Sequence, residues 1–281
     1  MLNASNVNDI NSNYYKTEWT VLYALLSAVF LLLFFVYLIN ILPDLRSPTP
    51  KLPGYQTSQN IFLISLFLRF IGYLVWTILL QQGNDQIKLS AFFCGIPGYF
   101  MTIAYCLIFF LWCSISMNLL LNDSSNYFQV IGKWSGIVGA MIGVLAIIFL
   151  LVLLLFSERH CHTVEMCLAI GRDLICALFV AIFLFDIIRK LKKPLCHLRS
   201  TSSSLSVMSL LLIGALIIRA ASTIAYYFLI NYKNSSNYKS FERGNFINTI
   251  LGQTLGEVLP CLMIFLNRKK TGLLSVYDEL T

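Results

Sequence analysis

Polar and apolar positions separate along this chain on a scale of tens of residues. Seven runs are apolar nearly throughout. Each is long enough for a helix to cross a bilayer core, which takes about 20 residues. They predict helices over 19–42, 61–80, 92–121, 131–156, 164–188, 207–230 and 246–266. Breakers lie between them: Pro43 ends the first run, and Pro48, Pro50, Pro53 and Gly54 make the first loop non-helical. Residues 122–126 read as a polar turn and 200–204 as a serine-rich part of the fifth loop. The pattern predicts an all-α polytopic membrane bundle with a short N-terminal segment 1–18, a seven-helix domain 19–270 and a tail 271–281. No clear internal repeat is visible, which argues mildly against a repeat-built transporter.

Composition reinforces this pattern. Hydrophobic residues make up 58% of the 281-residue chain and charged residues 12%, more apolar surface than a soluble core can hide. The net charge of +7 would suit nucleic acid on a soluble protein. Here the basic residues crowd beside apolar runs, so no nucleic-acid partner is expected. With the N-terminus outside or lumenal, eleven Lys and Arg fall on the cytoplasmic side and six on the other, the usual sign of the bias. The first 18 residues include Asp9, Lys16 and Glu18, so the first apolar run is expected to act as an uncleaved anchor. Sequons at Asn3 and Asn234 then face outward as candidate glycosylation sites, while Asn122 stays cytoplasmic; short sequons also arise by chance. The basic segment from Arg189 to Arg199 either binds anionic lipids or an acidic partner, or simply enforces orientation.

Charge reappears inside the spans. Arg69, Asp173, Arg219 and Glu257 stand eight, nine, twelve and eleven residues into their predicted helices. At 1.5 Å per residue each lies roughly 12–18 Å from a membrane face. Charges at that depth are costly and seek partners. Two bases and two acids at matching depth form either a structural ion-pair network or a site for a ligand, an ion or a switch. Arg172, beside Asp173, is expected to snorkel outward, and Asp186 to face the basic run that follows it.

Catalytic chemistry is sparse. The three histidines, His160, His162 and His197, fall in predicted loops, too few for an intramembrane metal hydrolase. No nucleophile elbow or phosphate-binding glycine loop appears. Neither an enzyme, a metal nor a cofactor is expected. Among eight cysteines, Cys94 and Cys161 are the candidate disulfide between a helix top and the next outer loop, with Cys167 as competitor. Cys196 beside the basic segment is a candidate for palmitoylation.

Seven helices suggest a receptor, yet helix 3 ends without an acidic-Arg-aromatic triplet and helix 7 lacks Asn-Pro-x-x-Tyr. Other motifs stand in order along the chain: Trp19 to Tyr23 opening helix 1, Gly95-Ile96-Pro97-Gly98-Tyr99-Phe100 and Phe110-Leu111-Trp112 in helix 3, and Leu216-Ile217-Ile218-Arg219 in helix 6. Helix 7 carries Gly256-Glu257-Val258-Leu259-Pro260 and ends in Leu266-Asn267-Arg268-Lys269-Lys270. Over residues 19–270 the chain thereby resembles the tobamovirus multiplication protein family, which is related to animal orphan seven-helix proteins of the lysosomal membrane. The resemblance implies a non-enzymatic protein of vacuolar, lysosomal or other endomembranes that recruits cytoplasmic partners such as small GTPases. Its motif residues here are Pro97, Gly98, Arg219, Glu257 and Pro260. The tail adds Tyr277-Asp278-Glu279-Leu280, which reads as a tyrosine-based sorting signal or as an inert polar end. Alternatives are a receptor with an unknown ligand, or a small-solute transporter using the intramembrane charges.

Overall fold

The structure, a computed structural model, describes residues 4–46, 55–82, 87–121, 124–155, 158–191, 199–231 and 238–271. It is helical throughout these segments: α1 (Ala4–Arg46), α2 (Tyr55–Gln82), α3 (Ile87–Leu121), α4 (Ser124–Leu155), α5 (Glu158–Leu191), α6 (Arg199–Asn231), α7 (Tyr238–Gln253), a π-helical turn (Thr254–Val258) and α8 (Leu259–Thr271). Seven stretches are long and apolar enough to cross a membrane, the last comprising α7, the π turn and most of α8.

The helices outrun the apolar runs. α1 continues through Pro43 to Arg46 instead of stopping at the proline. Pro43 lies in its last turn, so the missing N–H forfeits only the bond to the Ile39 carbonyl. Ser124 to Asn126 and Ser200 to Ser204, expected in loops, form the first turns of α4 and α6, and His160 and His162 lie in the first turns of α5. A helix need not end where its apolar surface ends, because the polar side chains of its last turns meet water.

α3 is the centre of the bundle. Within its apolar stretch Gly95–Cys113 an 18-residue window is 78% buried, and the corresponding share in the other six stretches is at most 39%. It packs against α2, α4, α5 and α6. Tyr99, Tyr105 and Phe109 fill the interior with Phe30, Phe62 and Phe149 from α1, α2 and α4. The other helices present apolar faces outward, as Leu25, Leu32 and Ile39 do on α1 and Ile147, Leu151 and Leu154 on α4.

Pro97 decides how closely α2 and α3 meet. It lacks the N–H that would bond the Phe93 carbonyl, and that carbonyl lies against Gly72 of α2, where a side chain would collide with it. A Cα–H donor from Gly72 can occupy the released oxygen at this close approach. Hydrogen bonds add lateral ties: the Tyr37 hydroxyl donates to Gln59 between α1 and α2, and the Tyr73 hydroxyl to Gln253 between α2 and α7.

Candidate functional site

The four charges named from the sequence meet in the bundle interior. Arg69 of α2 is ion-paired with Glu257 in the π turn, through Nη2 and Oε1. Arg219 of α6 sets its Nε 3.3 Å from Asp173 Oδ2 and 3.8 Å from Glu257 Oε1. Arg172, expected to snorkel, instead turns inward and is only 5% exposed. Its Nε donates to Asp173 Oδ1 at 2.8 Å and its Nη2 to Oδ2 at 3.2 Å. Its guanidinium lies 4.7 Å from the ring centre of Tyr99, a cation–π contact that offsets part of the desolvation of an inward-facing base. The result is a chain of alternating charges, Arg172–Asp173–Arg219–Glu257–Arg69, in which each acid serves two arginines. It links α2, α5, α6 and the π turn.

Local backbone features bring these groups into reach. Pro260 follows the π turn and has no N–H for the Gly256 carbonyl. Ahead of it the pattern widens to i→i−5, with the Leu259 N–H bonded to the Thr254 carbonyl. Gly256 and Glu257 are the buried residues of that turn. Gly256 leaves room for the Arg219 stem, whose Cγ and Cδ would otherwise meet a side chain there. Tyr105 of α3 donates from its hydroxyl to the Glu257 carbonyl oxygen at 3.0 Å and lies 3.4 Å from Cys261 Sγ. Thr102 of α3 accepts from Arg219 Nη1 at 3.4 Å.

Beside the charge chain lies a cavity of about 230 Å³. The charges form its floor, joined by Tyr73, Tyr99, Glu165 and Gln253. Tyr23, Ser222 and Tyr226 carry its wall toward the end of the bundle where α1 begins. An aromatic cluster stands at that end: Tyr23 stacks on Tyr73 at 5.9 Å and meets Trp76 edge-on at 6.0 Å, and Trp19 meets Phe246 at 5.3 Å. Such rings suit the depth of a membrane–water interface. Among the buried polar atoms of the cavity-lining residues, the oxygens Tyr99 Oη and Glu257 Oε2 have no hydrogen-bond partner among the described residues. Buried groups of this kind are ordinarily satisfied by water or by a bound molecule.

Sequence reasoning missed the inward turn of Arg172 and the parts played by Tyr99, Thr102, Tyr105 and Glu165. The adjacent Arg172-Asp173 pair was the available signal, since an acid at mid-span makes its neighbour's burial affordable. Pro97, Gly98 and Pro260 are buried within this assembly. The side chains of Cys94 and Cys161 lie outside those described, and Cys167 is a free, exposed thiol. Asn3, Asn234, Tyr277 and Leu280 also lie outside the described residues, as does most of the basic segment after Arg189. Among the described residues no three His, Cys, Asp or Glu side chains converge as a metal set. Comparison with protein-family models, curated proteins and solved structures found no match.

Proposed function

We propose that this protein is a non-enzymatic membrane regulator of receptor type, in which a small polar solute in the central cavity sets the arrangement of the helices. The observation that carries this reading is the cavity itself: about 230 Å³ of space beside five buried charges, with Tyr99 Oη and Glu257 Oε2 left without partners among the described residues. A solute that engages one member of the chain competes with its ion pairs. Arg219, between Asp173 and Glu257, is the member whose repositioning couples α5, α6 and the π turn. Ligands act by differential affinity for two arrangements, and a shared counter-ion is a natural element for such a shift.

The excess of Lys and Arg on one side supports an orientation with the N-terminus outside or lumenal. In that orientation the cavity faces the outside or lumen. The opposite face, with the basic ends of α5 and α8, then serves a cytoplasmic partner. The motif resemblance supports an endomembrane location, vacuolar or lysosomal, and a partner of the small-GTPase or trafficking kind.

The test has two arms. Purified protein in lipid nanodiscs is screened by thermal unfolding against small polar solutes, where a binder should raise the midpoint. In cells, proximity labelling of wild type and Arg219→Gln should give different cytoplasmic neighbours. If no solute shifts the midpoint and the neighbours are unchanged, the reading fails. Steady solute flux into reconstituted vesicles, lost in Glu257→Gln, would replace it with transport.

A further inference from the structure

Within that reading, the geometry points to a ligand class: we propose that the cavity takes a small hydroxy or amino acid, its carboxylate held between Arg172 and Arg69 over Gly98. The two arginines come from different helices, yet both reach the same glycine. A methyl group built on Gly98 would lie 2.9 Å from Arg172 Nη1 and 3.3 Å from Arg69 Nη2, so the two nitrogens are separated by no more than the sum of those distances. Two guanidinium groups this close repel each other in a low-dielectric interior unless an anion lies between them.

The protein's own acids only partly fill that role. Arg69 Nη2 donates to Glu257, and Arg172 spends Nε and Nη2 on Asp173. Arg172 Nη1 makes no hydrogen bond among the described residues, although it faces the cavity floor at Gly98. Three arginines against Asp173 and Glu257 leave the chain one positive charge in excess. Glu165 on the cavity wall brings the lining to three arginines and three acids, so a head that carries a carboxylate and an ammonium keeps the balance while its carboxylate gives Nη1 an acceptor. Carboxylate suits the planar guanidinium edge better than a spherical anion does.

The remaining groups define the rest of the ligand. Among the described residues Glu257 Oε2 lacks a donor and Tyr99 Oη has no hydrogen-bond partner. A hydroxyl or ammonium on the carbon next to the carboxylate meets both needs. Glu165, half-buried seven residues before Arg172 on the same helix, adds a further negative group to the wall and favours the ammonium form. The cavity's 230 Å³ equals the liquid volume of about eight waters, enough for such a solute.

This assignment rests on the receptor reading, and the experiment separates the two. Full-length protein in nanodiscs is titrated with L-lactate, L-alanine, lactamide and inorganic phosphate, following the thermal midpoint. Lactate or alanine should bind at least about tenfold more tightly than lactamide, since a charge-assisted contact is lost in the amide. Lactate ahead of alanine assigns a hydroxy acid, and the reverse order an amino acid. Gly98→Ala should weaken that binding about tenfold by crowding the two guanidinium groups, and Arg172→Gln should remove the preference for carboxylate over amide. Lactamide binding as well as lactate, phosphate binding alone, or carboxylate binding indifferent to Gly98→Ala would each overturn the assignment. Other polar solutes would still test the receptor reading. Silence to every solute would remove the assignment, and together with unchanged neighbours for Arg219→Gln it would remove the receptor reading as well.

Discussion

Glu257 is the residue on which most of the buried charge depends. Its carboxylate pairs with Arg69 and stands 3.8 Å from Arg219, while its backbone oxygen accepts from Tyr105. Substitution by glutamine keeps the shape and removes the charge, leaving the three guanidinium groups of the chain with Asp173, which lies on the far side of Arg219 from Arg69. Breaking a buried pair on one side costs about 3–5 kcal/mol. Glu257→Gln is therefore expected to lower the thermal midpoint strongly in nanodiscs, and Arg69→Gln made in the same chain should restore part of the loss. A double variant no better than the single would show that the two side chains are not energetically coupled. The acids and bases at matching depth were legible from residue counts. Arg172 was not, because neighbouring side chains on a helix leave it about 100° apart and only the packed position of Tyr99 makes the inward direction favourable.

At the scale of elements, two prolines and two glycines place the site. Pro97 releases the Phe93 carbonyl toward Gly72, which lets α2 approach α3. Alanine at Gly72 meets a backbone atom that cannot swing away, so Gly72→Ala should cost about 1–3 kcal/mol, as overpacked cores do. Gly98→Ala meets only side-chain tips and should cost less; comparing the two unfolding midpoints checks the ordering. In the seventh span Pro260 and the π turn reset the direction of Glu257, and the Tyr105 hydroxyl supports that turn from α3. Tyr105→Phe removes one buried hydrogen bond and should lower stability by about 1 kcal/mol, while the apolar packing of the ring is retained. A loss several times larger would mean that Tyr105 holds the turn open as well as satisfying it. Sequence alone showed Pro260 but not the π turn, since one residue of slack in a helix leaves no compositional mark.

The whole molecule is a bundle built around α3, with a polar floor partway along the helices and a cavity beside it toward the end where α1 begins. The orientation proposed for it gives a direct expectation. In intact cells or sealed vesicles, a single cysteine placed at position 234 should react with an impermeant maleimide from the outer or lumenal face, and one at position 122 only from the cytoplasmic face. The opposite pattern would invert the orientation. The seven spans were determined by sequence alone, because a run of about 20 apolar residues has few other stable environments and that property is local. The same holds for the presence of opposite charges at similar depth. What the tertiary structure alone decided was helix order around α3, the rotation that turns Arg172 inward, the sharing of Asp173 and Glu257 among three arginines, and the cavity beside them. Each of these depends on which helix faces which, and in an interior where every neighbouring helix is equally apolar, hydrophobicity does not choose; close packing at Gly72 and Gly256 and the pairing of buried charge do.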